Sequence, residues 1–141
     1  MEKRPLASPR VKRPVGWSSQ AWSVVTPAKF IFTSGLTSRD HVTGEVVHVG
    51  DIRGQTRQVH ENLKLVLAEG GAALADIVKV TAYLRALADF DAFQEVRREY
   101  FPKDPPASTT VVISSLADER LLIEIEAVAV VAPRARRRGR R

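Results

Sequence analysis

Apolar residues recur along this chain with two different periods, and the change of period marks out the elements. From Ile52 onward, Val59, Leu63, Val66 and Leu67 fall at i, i+4, i+7 and i+8, the stripe of an amphipathic helix, and Gly70-Gly71 ends it. Ile77 to Leu84 is a run rich in Val, Ile, Thr and Tyr, which predicts a strand. Asp89 then offers an N-cap for a second helix that buries Phe90, Phe93, Val96, Tyr100 and Phe101 until Pro102 stops it. Upstream, the aromatic and β-branched segment Phe30 to Ser34 predicts a strand closed by Gly35. Thr43-Gly44 makes a tight turn into a candidate strand from Glu45 to Val49. Thr109 to Ile113 and Leu121 to Val131 finish the chain as two further strands.

The resulting order, ββ(β)αβαββ, describes an α+β domain in which two helices cover one face of a mixed sheet. The last strand is apolar on both of its faces, so the second sheet face needs a cover too. A chain with only two helices lacks the material for it, and another subunit is the economical answer.

Length allows one folded domain, and the absence of cysteine excludes disulfides and thiolate chemistry. The longest apolar stretch, Leu121 to Ala132, is interrupted by Glu124 and Glu126, too short and too charged for a membrane span, and the expected compartment is the cytoplasm. Net charge is +6, yet residues 1–13 carry +4 and residues 134–141 carry six arginines, leaving −4 on residues 14–133. The basic character belongs to the ends. We therefore read residues 1–15 as a basic, unstructured segment, 16–132 as the folded domain and 133–141 as a solvated arginine-rich tail, with no nucleic-acid function implied.

Two features carry candidate chemistry. Glu124 and Glu126 sit at i and i+2 on a strand, so both point to one face, beside Leu122, Val128 and Val130; a carboxylate among apolar neighbours can serve as acid or base, and a salt bridge at a subunit contact is the plainer use. Gly16 to Trp22 gathers both tryptophans with Ser18, Ser19 and Gln20, either as a pocket wall or as a strand packed by its aromatics. His41, His48 and His60 show no ligand spacing, His60 reads as a surface residue, and neither metal nor cofactor is expected.

Ser19-Gln20-Ala21, Thr33-Ser34-Gly35, Thr43-Gly44-Glu45, Gln55 with Glu61-Asn62-Leu63, Asp76 to Val80, Phe90, Tyr100-Phe101, Pro106-Ala107 and Ile123 to Ala127 occur in an order and spacing that resembles the RidA (YjgF) family over about Gly16 to Val131. The resemblance implies a chorismate-mutase-like fold and a homotrimer with ligand clefts between subunits. It also implies hydrolysis of reactive enamines and imines, such as 2-aminoacrylate, to a keto acid and ammonia. In that family an arginine after the Pro-Ala pair grips the substrate carboxylate, and the first glutamate of the closing block activates water. Glu124 meets the second requirement, whereas Ser108 stands where the arginine would be. Ser18, preceded by Trp17, replaces the usual tyrosine, and Gln94 replaces the usual asparagine. Ser34 and Gly35 remain to line the cleft.

The catalytic expectation is thus Glu124, with Ser108, Gln94, Ser18, Trp17, Ser34 and Gly35 binding substrate. A missing bidentate arginine points to a small-molecule substrate other than a simple amino-acid-derived imine, larger and non-carboxylate, unless Arg57 or Arg120 reaches in from elsewhere. A non-catalytic trimer binding a metabolite or partner in the same cleft is the alternative, and an endoribonuclease using the arginine tail is the third reading. The acidic body argues against that third reading.

Overall fold

The helical stripes and strand runs condense against one another in a computed structural model that describes residues 1–12, 14 and 16–133. Eight main elements follow in chain order: β1 (Glu2–Leu6), β2 (Ala21–Val25), β3 (Lys29–Phe32), α1 (Ile52–Glu69), β4 (Ile77–Leu84), α2 (Phe90–Tyr100), β5 (Ala107–Val112) and β6 (Ile123–Val131). The main sheet has the order β3-β6-β4-β5, with only β4 and β5 parallel. That parallel pair requires a crossover, and α2 provides it. Alternate residues of β4 and β6 point to the helices: Val80, Ala82 and Leu84 with Ile123, Ile125, Ala127 and Ala129 form the core against Val59, Leu63, Leu67, Phe93 and Phe101. The expected α+β architecture is the one observed.

Several local expectations are corrected. Residues 1–15 are not wholly without structure, because Glu2–Leu6 pairs antiparallel with β2 in a separate two-stranded sheet. Lys3 Nζ anchors that ribbon by donating to Asp76 Oδ1 and Ala75 O, each at 3.1 Å. Pro5 fits there because a two-stranded ribbon has free edges. Glu45–Val49 is a loop rather than a strand: only Val46 forms a bridge, with Arg39, and His48 takes a φ of 56°, incompatible with extension. Val66 lies 43% exposed, off the buried stripe, and β5 and β6 begin at Ala107 and Ile123. The arginine-rich segment 134–141 lies outside the described residues.

Both ends of α1 follow from local chemistry. The Asp51 carboxylate accepts the Gly54 N–H at 3.0 Å, and Gly71, at φ 72°, supplies the left-handed turn that lets its N–H reach Ala68 O at 2.8 Å. The α1 side chain of Gln55 donates to Arg120 O and accepts from Leu122 N, both at 2.8 Å, which ties α1 to the entry of β6.

His60, expected at the surface, is buried on α1, 2% exposed, with its ring stacked on Tyr100 at 4.6 Å and edge-on to Phe101 at 5.7 Å. Its Nδ1 lies 2.8 Å from Thr56 O, so Nδ1 carries the hydrogen of the neutral ring. Burial pushes its pKa down to about 4, with the Arg97 charge acting in the same direction. A folded-state pKa below the ordinary value of about 6.5 means that this stability is fully present above pH 6.5 and is lost as pH falls toward 4. Unfolding free energy should therefore drop by about 2 kcal/mol between pH 7 and pH 5, and the drop should be largely absent in His60→Gln. Urea titrations at the two pH values check this, and parallel pH profiles for both proteins would contradict it.

Candidate active site

The residues singled out from the sequence fall into two groups. The first lies between α2 and the edge strand β5. Ser108 pairs with Val80 in the parallel ladder, so it points to the helix-covered side of the sheet. There it lines a cavity of about 200 Å³ with Gly16, Ser18, Phe90, Gln94 and Arg97. Gln94 is 7% exposed and accepts the Trp17 N–H at 2.9 Å, and a Cβ on Gly16 would stand 3.0 Å from the Gln94 amide. The Trp17 indole donates to Phe101 O at 2.7 Å and lies under the Arg98 guanidinium at 5.7 Å. Trp17 is thus pinned as a wall. With Ser18, Ser19, Gln20 and Pro105 it borders a neighbouring cavity of about 510 Å³.

The second group lies on the opposite side of the sheet. Glu124 pairs with Tyr83, whose side chain points away from the helices. Its carboxylate lies directly over Gly35, so close that a Cβ there would meet Glu124 Cδ at 2.7 Å. The segment around Gly35 is stitched to β6 by the Thr33 N–H to Ala127 O at 2.9 Å and the Leu36 N–H to Ile125 O at 2.8 Å. A side chain at position 35 would force the Glu124 carboxylate to swing aside. Ser34 is exposed beside it. Glu126 accepts the Tyr83 hydroxyl at 3.1 Å, which raises the Tyr83 pKa, whereas Glu124 has no side-chain hydrogen-bond partner among the described residues.

One chain therefore brings Ser18, Gln94 and Ser108 together, and brings Gly35 with Glu124, but it does not join the two groups. Two strand spacings and three residues of register put Ser108 and Glu124 roughly 14 Å apart, on opposite faces. Arg57 and Arg120 do not stand in for a missing arginine. Arg57 is engaged by Glu99 at 2.7 and 3.0 Å, Arg120 by Asp118 at 2.7 and 3.0 Å, and neither lines the Ser108 cavity.

Sequence reasoning missed Arg97. It is 1% exposed, its Nη2 donates to Pro106 O at 3.2 Å, and its guanidinium lies 5.9 Å from the centre of the Phe101 ring. Burial lowers its pKa to about 10, still well above neutrality. The signal was present: an arginine four residues after Phe93 occupies the core-facing stripe of α2. Among the described residues no group of three or more His, Cys, Asp or Glu is placed to hold a metal, and no helix is long and apolar enough to cross a membrane.

Residues 14–131 match the model of a family described as endoribonuclease L-PSP. A RutC family protein of Pyrococcus abyssi is 44% identical over 129 residues, covering 92% of this chain and 98% of that protein. A 2-iminobutanoate/2-iminopropanoate deaminase of Dermatophagoides farinae is 33% identical, covering 92% of this chain and 97% of that one. Among solved structures, a Rid family protein of Yersinia pestis superposes with a TM-score of 0.82 at 30% identity, over 93% of this chain and 100% of that chain.

The contact between Gly35 and Glu124 can be measured directly. Gly35→Ala should cost about 1–3 kcal/mol in unfolding free energy, and the same change in a Glu124→Ala background should cost less than about 1 kcal/mol. Denaturant unfolding of the four proteins closes the cycle, and equal costs in both backgrounds would remove the contact as the reason for glycine.

Proposed function

Since this chain belongs to the endoribonuclease L-PSP family, the family of the RidA, YjgF and RutC proteins, we propose that it is a hydrolytic deaminase of imines and enamines working as a homotrimer. The observation that carries the reading is Glu124, a carboxylate held over Gly35 with no side-chain partner among the described residues, on the sheet face that the helices leave open. That face also presents Phe30 and Phe32, stacked at 6.5 Å and 46% and 74% exposed, beside Val128. Apolar exposure of this kind favours a second subunit. A neighbouring subunit seated there sets its own Ser108 cavity against Glu124 and makes one cleft from two half-sites.

In the cleft Glu124 takes a proton from water as the water oxygen bonds to the imine carbon, and the C=N π electrons move to nitrogen, which then takes that proton from Glu124 to give the carbinolamine. The Glu124 carboxylate next accepts the carbinolamine hydroxyl proton as C=O forms and delivers it to the nitrogen, which leaves as ammonia. An enamine enters by taking a proton at carbon first. Glu126 is already occupied by the Tyr83 hydroxyl. Ser108 offers a neutral hydroxyl where a bidentate cation would hold the carboxylate of a small 2-imino acid. The substrate is accordingly an imine, enamine or related carbonyl compound other than a simple amino-acid-derived imine.

Ammonia and carbonyl product are measured on freshly generated imines of increasing size. Turnover of 2-iminopropanoate should be slow relative to longer substrates; Glu124→Gln should lower the best rate at least ~100-fold, while Glu126→Gln should lower it much less. Retained activity in Glu124→Gln refutes the mechanism. Light scattering should give three chains per particle, and a stable monomer at micromolar concentration would overturn the shared cleft. A ligand-binding trimer with no turnover on any imine would favour the non-catalytic reading.

A further inference from the structure

We propose that Arg97 is the binding residue for an anionic group of the substrate, so that the site takes carboxylate-bearing imines whose carboxylate lies further from the C=N carbon than in 2-iminopropanoate. The inference rests on the deaminase reading and corrects the expectation of a non-carboxylate substrate. Two buried polar atoms point to it. Arg97 Nε and Ser108 Oγ both lack any hydrogen-bond partner among the described residues, and both belong to side chains that line the same cavity. A native core rarely leaves two neighbouring donors unsatisfied unless a water, an ion or a ligand completes them, and two donors converging beside a buried cation favour an anion.

The cation also lacks a counter-ion. None of the ion pairs among the described residues involves Arg97, whose nearest compensations are one carbonyl oxygen and the face of Phe101. An arginine buried to this extent is normally paired with an anion. The partners of an incoming carboxylate are then Arg97 Nε, the Ser108 hydroxyl and the free capacity of Ser18 and Gln94 on the same wall. Phe90 gives the cavity an apolar side for a carbon chain.

Depth sets the length of the substrate. Residue 108 is half-buried on an edge strand, whereas Arg97 is 1% exposed on the helix above it. A carboxylate that reaches Arg97 must pass further in than one held by an arginine at position 108. The reacting carbon, which has to remain near Glu124, is then separated from the carboxylate by additional atoms. A cavity of about 200 Å³ accommodates a short chain and its carboxylate, and is far too small for a nucleotide.

Equilibrium binding to the intact protein, measured by calorimetry without turnover, tests this independently of hydrolysis. The probes are acetate, butanoate and hexanoate, each against its neutral amide. Carboxylates should bind at least tenfold tighter than amides, and butanoate tighter than acetate. Arg97→Met should remove the preference for carboxylate while leaving amide binding within about threefold, with circular dichroism and light scattering confirming the fold. Should Arg97→Met fail to assemble, Arg97→Met/Ser108→Arg returns a cation to the strand and should restore the carboxylate preference with acetate now favoured. Equal binding of acids and amides by the natural protein overturns the proposal, as does an undiminished carboxylate preference in Arg97→Met. A protein that binds carboxylates through Arg97 yet hydrolyses no imine would sink the deaminase reading alone, and one that hydrolyses imines without discriminating acid from amide would sink the role of Arg97 alone.

Discussion

Strand β6 is the constraint on which the rest of the molecule depends. It lies between β3 and β4, so both of its backbone edges are hydrogen-bonded and its register cannot slip without breaking two ladders. A slip by one residue would turn Ile123, Ile125, Ala127 and Ala129 out of the core and drive Glu124 and Glu126 into it. Full burial of each large aliphatic side chain is worth about 1.5–3 kcal/mol, and an unpaired buried carboxylate costs more than that, so a single register survives. The same alternation fixes Glu124 on the open face. Its position over Gly35 comes from pairing of the adjoining segment with β6, which the Thr33 hydroxyl reinforces by accepting the Ala127 N–H at 2.9 Å.

Much of this was legible in the sequence, and for identifiable reasons. The bounds of β4 and both helices could be read because their apolar periods are unmixed and because Gly70-Gly71 and Pro102 end the helices by local chemistry. β1 was not legible: its charges and Pro5 resemble those of an unstructured end, and its stability comes from pairing with β2 and from Lys3 on Asp76, a contact 73 residues away. Glu45–Val49 was misread as a strand because β-branched residues were counted without asking which strand would pair with them. The reading of His60 failed differently. A helix stripe was sought in aliphatic residues alone, while the buried stripe of α1 includes Thr56 and His60.

The site was half legible. Glu124 and Gly35 belong together in the structure as in the motif, and Ser108, Gln94 and Ser18 share one wall. Arg97 was overlooked because only the apolar residues of α2 were read as its inward face, and Arg57 and Arg120, which were considered instead, are both satisfied by carboxylates of their own. The structure shows that Arg97, on the core-facing stripe of α2, is buried and has no ion-pair partner among the described residues.

The separation of charges has its own logic. Arg97 and Glu124 lie on opposite faces of one sheet, so within a subunit they cannot meet. Were they placed in one dry pocket of the same chain they would form an ion pair, and that pair would quench both the anion-binding cation and the base. The sheet keeps them apart during folding, and each stays available. An assembly that seats the open face of one subunit against the cavity of the next confronts them only across the space a substrate fills. In the cleft proposed above, a carboxylate at one end of the substrate would neutralise Arg97 and leave the carboxylate of Glu124 free to take a proton from water at the other.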